Sequence, residues 1–384
     1  MALCIARLPP GSQVAAKDEA KAYRTIPLHP FQWNGTIIRV DDDAFNLDTS
    51  LAFRLAPSAS VYGAYADAAN DILWAEGIGP IIKWVDDQVF FHILKSTLTD
   101  FNTTQAQLHA QIIQNGARHH DGGRWWYHAS NLPDGCLIVC DEDMAYLIKD
   151  LSDVSPRSTH EASFTYNMDD INRVVVHLGI PWEQSKDIPF GTVIHYIGLE
   201  WDIAQCTVVL SADKREKYKA AISQWKSFTT HTLHKVQSLY GKLLHACHIF
   251  PAGQAYLTCL EIFMQNFNNM PFQPCTPPKG THADLNWWIS TLLSPSIPHP
   301  IPGPIVLYDH NAFSDASSEV GLGIIVGQHW HAWRLIGDWK SEGRDIEWAE
   351  AVTFELLACT LIILYGPLSH FKCHGNNTGV IEGW

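Results

Sequence analysis

Two adjacent carboxylates, Asp86 and Asp87, stand within an otherwise largely apolar stretch and constrain the chain more than any other feature. Mostly β-favouring residues precede the pair in 81–85 and follow it in 89–93. This pattern predicts a β-hairpin whose turn is Asp86-Asp87, with both side chains at its tip. Like charges so close repel each other, and a bound divalent cation would relieve the repulsion. An ordinary polar turn is the alternative, because Asp is common in turns.

A second acidic segment lies upstream in 17–30, where the chain reads KDEAKAYRTIPLHP. Asp18 is followed five residues later by Tyr23 and then by Arg24. Together with the Trp-Val-Asp-Asp of 84–87, this segment resembles the reverse transcriptase family of retroelements. That family reads Asp-x-x-x-(Ala/Gly)-Tyr-Arg and later (Tyr/Trp)-(Val/Leu)-Asp-Asp. The two motifs are specific only jointly.

The resemblance implies a polymerase palm that holds two Mg²⁺ ions. Carried over to this chain, the metal ligands are Asp18 and Asp86, with Asp87 beside them. Mg²⁺ prefers oxygen ligands, and two ions would clamp the attacking 3′-oxygen and the leaving pyrophosphate. Tyr23 stands where the family places an aromatic gate against a ribose 2′-hydroxyl. The nucleotide-binding residues implied by the resemblance are Tyr23, Arg24 and Phe53.

The charge balance counts against strong binding of nucleic acid. The formal net charge is −14, from 26 basic and 40 acidic side chains. Nucleic-acid binders normally present Lys and Arg to the phosphates, so an RNA/DNA template-primer would need a local basic channel. The clearest basic run is 213–228, which is predicted to be either a solvated helix or a thumb helix that follows the duplex backbone.

Cysteine usage and the apolar runs indicate the compartment. Nine scattered cysteines predict a reducing environment without a disulfide framework. Residues 1–13 have no apolar core long enough for a signal peptide. The longest apolar run, 351–368, contains Glu355 and Pro367 and is predicted to be a buried helix rather than a membrane span. We therefore expect an intracellular, non-secreted protein with no membrane partner; the sequence leaves the oligomeric state open.

Two features predict a weakened polymerase. About seventeen residues precede Asp18, where the resembled family has a long fingers region, so the chain is expected to be truncated at its start. The segment 53–63 lines up with a family loop whose glycines let the backbone approach the nucleotide. We therefore expect primer extension by this chain to be weak or undetectable. The residues that replace family glycines are Arg54, Ser58 and Ser60.

Local patterns predict several further elements. Residues 31–40 read as a strand, followed by a solvated turn at 41–43. Residues 62–77 have helical spacing, and so do residues 169–187, which Gly179-Ile180-Pro181 ends. The apolar sides predicted for these two helices are Ala64, Ala68, Ile72 and Ala75 in the first, and Ile171, Val174, Val175 and Leu178 in the second.

Lys186 and the segment 195–201 carry two more family likenesses. Lys186 lies where the family has a lysine placed to protonate the leaving pyrophosphate; a surface lysine is the alternative. The segment 195–201, which reads HYIGLEW, resembles the primer-grip hairpin. Both assignments depend on the resemblance rather than on the residues alone.

Residues 95–168 form a polar, His-rich insertion. Turn clusters at 121–123 and 131–135 flank Trp125-Trp126-Tyr127, which predicts a β-hairpin. A zinc site is disfavoured, because Cys-x₃-Cys without a second tight pair is poor spacing. The residues that a zinc site would draw on are His119, His120, His128, Cys136 and Cys140.

A proline-rich stretch, 295–304, predicts a domain boundary. Beyond it, 312–318 and a glycine-spaced hairpin resemble the opening of a ribonuclease H-like domain. By that resemblance the acids are Asp315 and Glu355, the second on an apolar helix, and the third position holds Asn376 in place of Asp. An amide is a poorer Mg²⁺ ligand than a carboxylate, so we expect a dead or impaired nuclease site. Glu350 or Glu382 completing the site is the alternative.

These observations predict an α+β fold: a reverse-transcriptase palm of antiparallel sheet and helices, a helical thumb or connection, and a truncated ribonuclease H-like α/β domain. The predicted limits are 1–210 for the palm with partial fingers and the insertion, 211–296 for the thumb, and 304–384. The implied function is RNA-directed DNA polymerase acting on template-primer and deoxynucleotides; an inactive retroelement remnant is the alternative. A generic two-metal phosphatase or nuclease would not explain Tyr23 or the order of domains.

Overall fold

The computed structural model describes residues 1–53, 57–115, 117–121, 124–128, 141–142, 147–154, 156–225, 229–267, 270–295, 297–301, 307–366 and 370–377. The chain divides into two compact units, one of 1–105 with 146–302 and one of 106–145 with 303–384. Helices and mainly antiparallel sheets occur together, which confirms the predicted α+β class. Predicted features that lie outside the described residues are Arg54, Gly122-Gly123, 131–135, Cys136, Cys140, Lys226 and Glu382.

The helices and strands are named here in chain order. The helices are α1 Ala2–Arg7, α2 Ser58–Ala75, α3 Leu98–Asn115, α4 Met168–Leu178, α5 Ala212–Ser223, α6 Leu233–Cys247, α7 Thr258–Gln265, α8 Thr281–Leu293 and α9 Ile346–Tyr365. The strands are β1 Gln13–Asp18, β2 Ile37–Asp41, β3 Ala44–Leu47, β4 Ile81–Trp84, β5 Asp87–His92, β6 Ala117–Asp121, β7 Arg124–His128, β8 Asp141–Glu142, β9 Ile188–Gly191, β10 Val193–Tyr196, β11 Leu199–Asp202, β12 Thr207–Leu210, β13 His299–Pro300, β14 Leu307–Ser317, β15 Gly321–Val326, β16 His329–Arg334 and β17 His370–His374.

The sheet that carries the acidic motifs has the strand order β4-β5-β1-β9. Val89, Phe90 and Phe91 of β5 are all fully buried, because apolar clusters cover both faces of the sheet. A strand that is covered on both faces reads as a continuous apolar run rather than as an alternation. The run after Asp87 therefore marks the centre of a two-sided core.

The helix α4 follows the sequence pattern closely at its N-terminal end. Asn167 and Asp170 form a reciprocal capping box there, and Gly179 ends the helix in the left-handed conformation. Ile171, Val174 and Val175 are buried as predicted. The helix stops at Leu178, directly before the Gly179-Ile180-Pro181 segment that was predicted to end it within 169–187.

Residues 31–40 do not form the single strand that was predicted. Pro30 begins a 3₁₀ helix that runs to Gly35, and β2 covers only Ile37–Asp41. Proline fixes φ near the helical value and has no N–H to donate, which favours the start of a helix. The acidic turn is present, because Asp42 and Asp43 connect β2 to β3.

The apolar side predicted for α2 is wrong. Ala64, Ala68 and Ile72 are exposed, and the buried side is formed by other residues of the helix. Alanines occur on two sides of this helix, so spacing alone does not identify the buried one. The buried residues of α2 are Ser58, Tyr62, Ala66, Ala69, Asn70 and Leu73.

The insertion contains both a predicted and an unpredicted element. β6 and β7 pair antiparallel from Ala117 and His128 to Asp121 and Arg124, which confirms the hairpin around Trp125. The 18-residue helix α3 precedes it, and polar composition hid this helix from the sequence analysis.

A second sheet and four helices complete this part of the first unit. The sheet has the order β10-β11-β12-β13, and its first pair is the hairpin predicted at 195–201. α5 to α8 surround a buried core that includes Leu239, Leu243, Phe263 and Trp288. The helical patterning predicted for 211–296 is therefore present.

The second unit contains a sheet of order β16-β15-β14-β17, in which β17 runs parallel to β14. Leu357 and Leu361 of α9 pack against Ala312, Ile324 and Val326 of this sheet. Among the described residues, α9 is also the one helix long and apolar enough to cross a membrane, by length and composition alone. One side of α9 packs on the sheet, but Ile362, Ile363 and Leu364 are exposed, so α9 is partly buried and not the buried helix that was predicted.

A buried ion pair in the first unit provides a test of the packing around α4. Arg157 pairs with Asp170, and both side chains are almost fully buried. We expect Asp170→Ala to lower the free energy of unfolding by roughly 3–5 kcal/mol, because it leaves a buried guanidinium without its carboxylate. The exposed neighbour Asp169 is the matched control, and Asp169→Ala should cost about 1 kcal/mol or less. Equal losses for both variants in urea unfolding would contradict this account.

Candidate active site

Asp18 and Asp87 face each other across two adjacent strands. Asp18 is the last residue of β1 and Asp87 the first of β5, and the antiparallel register places them directly opposite. Their carboxyl groups are joined by a hydrogen bond. Two of the three acids that the family resemblance groups together, Asp18 and Asp87, therefore lie side by side.

The turn of the hairpin is shifted by one residue from the prediction. Trp84 pairs with Asp87, so the two turn residues are Val85 and Asp86, not Asp86 and Asp87. Val85 has φ +58°, a left-handed conformation that costs a β-branched residue about 1–3 kcal/mol. The backbone oxygen of Asp86 accepts a hydrogen bond from the Glu19 N–H at 3.0 Å, which fixes the turn beside the end of β1.

The concentration of carboxylates changes the protonation of Asp87. Burial raises the pKa of Asp87 to about 6, and the hydrogen bond with Asp18 and the negative charge of Asp86 act in the same direction. Lys186 opposes the shift. At neutral pH the site therefore holds its negative charges at an electrostatic cost that a cation would reduce.

Lys186 contacts this cluster directly. It ends a short 3₁₀ turn, Gln184–Lys186, and its Nζ lies 2.8 Å from Asp18 Oδ2. That hydrogen bond raises the pKa of Lys186. Lys186 is also a surface lysine, the alternative that the sequence left open, because most of its side chain is exposed.

The residues predicted to bind nucleotide are only partly together. The Tyr23 ring lies 4.8 Å from the Phe53 ring and 5.0 Å from the Tyr62 ring, measured between centroids. Arg24 instead pairs with Asp48, whose pKa this contact lowers. Tyr23 and Phe53 thus form an aromatic cluster, and the Arg24 guanidinium is held by a carboxylate.

Sequence reasoning missed Glu19 and Tyr62. Glu19 is 1% exposed, and its Oε2 accepts a 2.6 Å hydrogen bond from the Tyr62 hydroxyl. Burial raises the pKa of Glu19, with Asp86 and Asp18 adding to the shift. Strand alternation was the available signal, because the residue after a surface acid at a strand end points to the opposite face.

The ribonuclease H-like residues lie in the second unit. Asn376 Nδ2 donates a 2.9 Å hydrogen bond to Asp315 Oδ1. Glu355 is exposed, whereas Glu350 is buried and accepts a hydrogen bond from the Ala316 N–H. Burial and the charge of Asp315 raise the pKa of Glu350. Five residues turn a helix by about 140° beyond one full turn, so the two glutamates occupy different sides of α9. Glu350 is the one of the two whose pKa responds to the charge of Asp315.

The donor set fits Mg²⁺ in type but is incomplete in number. Within the ranges that the structure describes, no three His, Cys, Asp or Glu side chains are grouped so as to hold a metal ion. Asp18 and Asp87 nevertheless supply the hard oxygen donors that Mg²⁺ prefers, and their mutual repulsion favours a cation. The side chains of His119, His120 and His128 lie outside this description, so the zinc site that the sequence disfavours is a matter of sequence-based prediction alone.

Comparison with known proteins gives matches only among solved structures. No family model and no curated protein matches the chain. A foamy viral protease-reverse transcriptase dRH in complex with double-stranded DNA has 11% identity and a TM-score of 0.46, over 100% of this chain and 54% of that one. A foamy viral protease-reverse transcriptase in complex with an RNA/DNA hybrid has 12% identity and a TM-score of 0.44, over 97% of this chain and 40% of that one. A third structure, of the foamy viral protease-reverse transcriptase with double-stranded DNA, has 12% identity and a TM-score of 0.44, over 98% of this chain and 62% of that one. This chain thus spans between 40% and 62% of the length of these three structures.

The raised pKa of Asp87 predicts a pH-dependent stability. The native state binds this proton more tightly than the unfolded state, so the contribution is present below pH about 4 and lost as the pH rises through about 6. We expect Asp87→Asn to gain ~1 kcal/mol over the wild type between pH 4 and pH 7, allowing for solvent screening of a half-exposed group. Urea unfolding at both pH values measures this. A difference between the two proteins that does not change with pH would contradict it.

Proposed function

We propose that this chain is the reverse transcriptase part of a retrotransposon polyprotein and acts as an RNA-directed DNA polymerase. The observation that carries the proposal is the placement of Asp18 directly opposite Asp87, with Asp86 in the adjoining turn and Lys186 on Asp18. Acids at the facing ends of two adjacent strands, with a third acid in the tight turn beside them, suit nucleotidyl transfer that depends on two Mg²⁺ ions.

Each residue of the cluster has a distinct part in this proposal. Asp18 and Asp86 would hold the metal ions, with Asp87 beside them, and the ions supply charge stabilisation for the attacking and leaving oxygens. Lys186 would donate a proton to the leaving pyrophosphate, since its ammonium already lies at the edge of the carboxylates. The side chain of Lys186 is 61% exposed, which leaves it free to turn toward a leaving group.

The aromatic cluster supports a role for Tyr23 at the sugar of the incoming nucleotide. Contacts with Phe53 and Tyr62 hold the Tyr23 ring from two sides. The Tyr62 hydroxyl is in turn held by Glu19, next to Asp18 in the chain. A ring held in this way could exclude a 2′-hydroxyl by shape alone.

The inactive remnant is the second candidate, and two observations favour it. Lys186 occupies Asp18, and within the described part of the chain no third donor joins the carboxylate pair. A site in this arrangement must rearrange before it can hold two ions. The two candidates differ in whether any incorporation depends on Asp86.

Single-nucleotide incorporation on a primed RNA template distinguishes these candidates. We expect weak incorporation with Mg²⁺ that Asp86→Asn removes, by roughly 10³-fold or more, because loss of a carboxylate removes charge stabilisation of the transition state. Tyr23→Ala should retain incorporation and accept ribonucleotides more readily. Incorporation that persists in Asp86→Asn would contradict the assignment, and a wild type no better than Asp86→Asn would favour the remnant.

We also propose that the ribonuclease H-like site is inactive. Asn376 places an N–H donor on Asp315, where a shared cation would require an acceptor. Asp315 and Glu350 remain as the two carboxylates near this position. Their charge attracts a cation less than three carboxylates would.

Hybrid cleavage and metal affinity test this second site. We expect no cutting of RNA in an RNA–DNA hybrid with Mg²⁺ or Mn²⁺. Asn376→Asp should bind Mn²⁺ at least about tenfold more tightly, because it adds a charged oxygen ligand next to Asp315. Asn377→Asp adds the same charge one residue away and is the matched control. Hybrid cleavage by the wild type that Asp315→Asn abolishes would show the proposal wrong.

A further inference from the structure

Two ion pairs connect the end of β1 to the turn that bears Lys186, and each segment uses two consecutive residues. Lys17 Nζ lies 2.5 Å from Asp187 Oδ2, and Lys186 Nζ lies 2.8 Å from Asp18 Oδ2. Each segment therefore contributes one lysine and one aspartate, in consecutive positions. The arrangement is reciprocal, since each residue of one segment has its partner in the other.

The two pairs differ sharply in their exposure. The Lys17 side chain is 1% exposed and also lies 5.3 Å from the centroid of the Trp182 ring. The Lys186 side chain is mostly in solvent. The inner pair of Lys17 and Asp187 is therefore a fixed element, and the outer pair can open at little cost.

Backbone hydrogen bonds hold the same two segments together but do not reach Lys186. The Ala20 N–H donates to Pro181 O at 2.7 Å, and the Glu183 N–H donates to Asp18 O at 2.9 Å. Beyond Lys186, the side-chain pair of Lys17 with Asp187 and the backbone pairing of Ala16 with Ile188 tie the segment back to β1. These ties flank Lys186 on its C-terminal side, so the turn is held at both ends.

A buried lysine at this position needs an explanation. Its three predecessors in β1, Val14, Ala15 and Ala16, are apolar, and an apolar pair of similar volume is often as stable as a buried ion pair. Charge here therefore adds little to stability, but it gives the turn one defined orientation. That orientation directs the next residue, Lys186, toward Asp18.

We propose that Lys17 and Asp187 are positioning residues whose buried pair holds Lys186 as a tethered counter-cation on Asp18, which a divalent cation must displace in order to bind. The proposal rests on the proposed function in one respect, namely that a divalent ion binds at Asp18. The ammonium neutralises Asp18 while the site is free of metal. After displacement it stays within reach of the carboxylate cluster, because the turn that carries it remains fixed.

The first arm of the test measures Mn²⁺ binding by isothermal titration calorimetry. We expect Lys186→Met to bind Mn²⁺ about fivefold more tightly than the wild type, the effect of removing one partly exposed competing ion pair. Lys149→Met is the matched control, because it removes an exposed ammonium that contacts the Ala75 carbonyl rather than a carboxylate. Equal Mn²⁺ affinity of Lys186→Met and the wild type, or no binding by either, would overturn the proposal.

The second arm measures how fast an N-hydroxysuccinimide ester acetylates Lys186, read by mass spectrometry. The paired variant Lys17→Met with Asp187→Leu replaces the ion pair by an apolar pair. We expect Lys186 in this variant to react at least about threefold faster, as in Asp18→Asn, because an ion-paired amine is protected. Lys17→Arg should keep the slow rate. A purely structural role would shift the urea midpoint and leave the Lys186 rate unchanged, which would overturn the proposal.

The two arms separate this inference from the proposed function. Acetylation of Lys186 does not depend on polymerase activity or on bound metal. Tighter Mn²⁺ binding by Lys186→Met without any nucleotide incorporation would overturn the polymerase proposal and support the counter-cation. Nucleotide incorporation that requires Asp86, combined with a Lys186 acetylation rate that does not change when Lys17 and Asp187 are replaced, would support the polymerase proposal and overturn the counter-cation.

Discussion

Repulsion among carboxylates is the constraint on which the first unit depends. Asp18, Glu19, Asp86 and Asp87 lie at one end of the β4-β5-β1-β9 sheet, and three of them reduce the repulsion in different ways. Asp18 contacts an ammonium, and Glu19 is buried against a tyrosine hydroxyl. Asp87 shares a hydrogen bond with Asp18 and has a raised pKa. The local fold is therefore arranged as much around charge as around apolar packing.

In the second unit, the repulsion between neighbouring carboxylates is reduced in a different way. There an amide stands beside Asp315, and Glu350 is buried under the backbone of β14. An amide hydrogen bond removes the repulsion permanently, whereas an ammonium on a flexible side chain removes it reversibly. These two acidic clusters of the described residues thus differ in the partner that offsets their charge, an ammonium in the first unit and an amide in the second.

The sequence predicts elements whose signals are local and fails where a distant partner decides. The hairpin at Asp86 follows from apolar runs around a short turn, whereas the hairpin at Tyr196 was implied by the family resemblance of 195–201. The buried side of α2 does not follow from a local signal, because Tyr62 is drawn inward by Glu19, which is 43 residues away. Glu350 and Glu355 were not separable either, since α9 is apolar on all sides and has no periodic signal. The contacts of Lys186 and Lys17 likewise depend on segments far apart in the chain.

The antiparallel register of β1 and β5 determines how strongly a misaligned pairing of these two strands is destabilised. A slip of one residue would turn every side chain of β1 to the other face. Glu19 would then lose its tyrosine, and Lys17 would lose both its aspartate and its indole. Each loss leaves an uncompensated charge, so a misregistered chain is penalised several times over rather than once. The charged residues around the acidic site therefore also favour the native register of β1 and β5, because only this alignment gives each of them its partner.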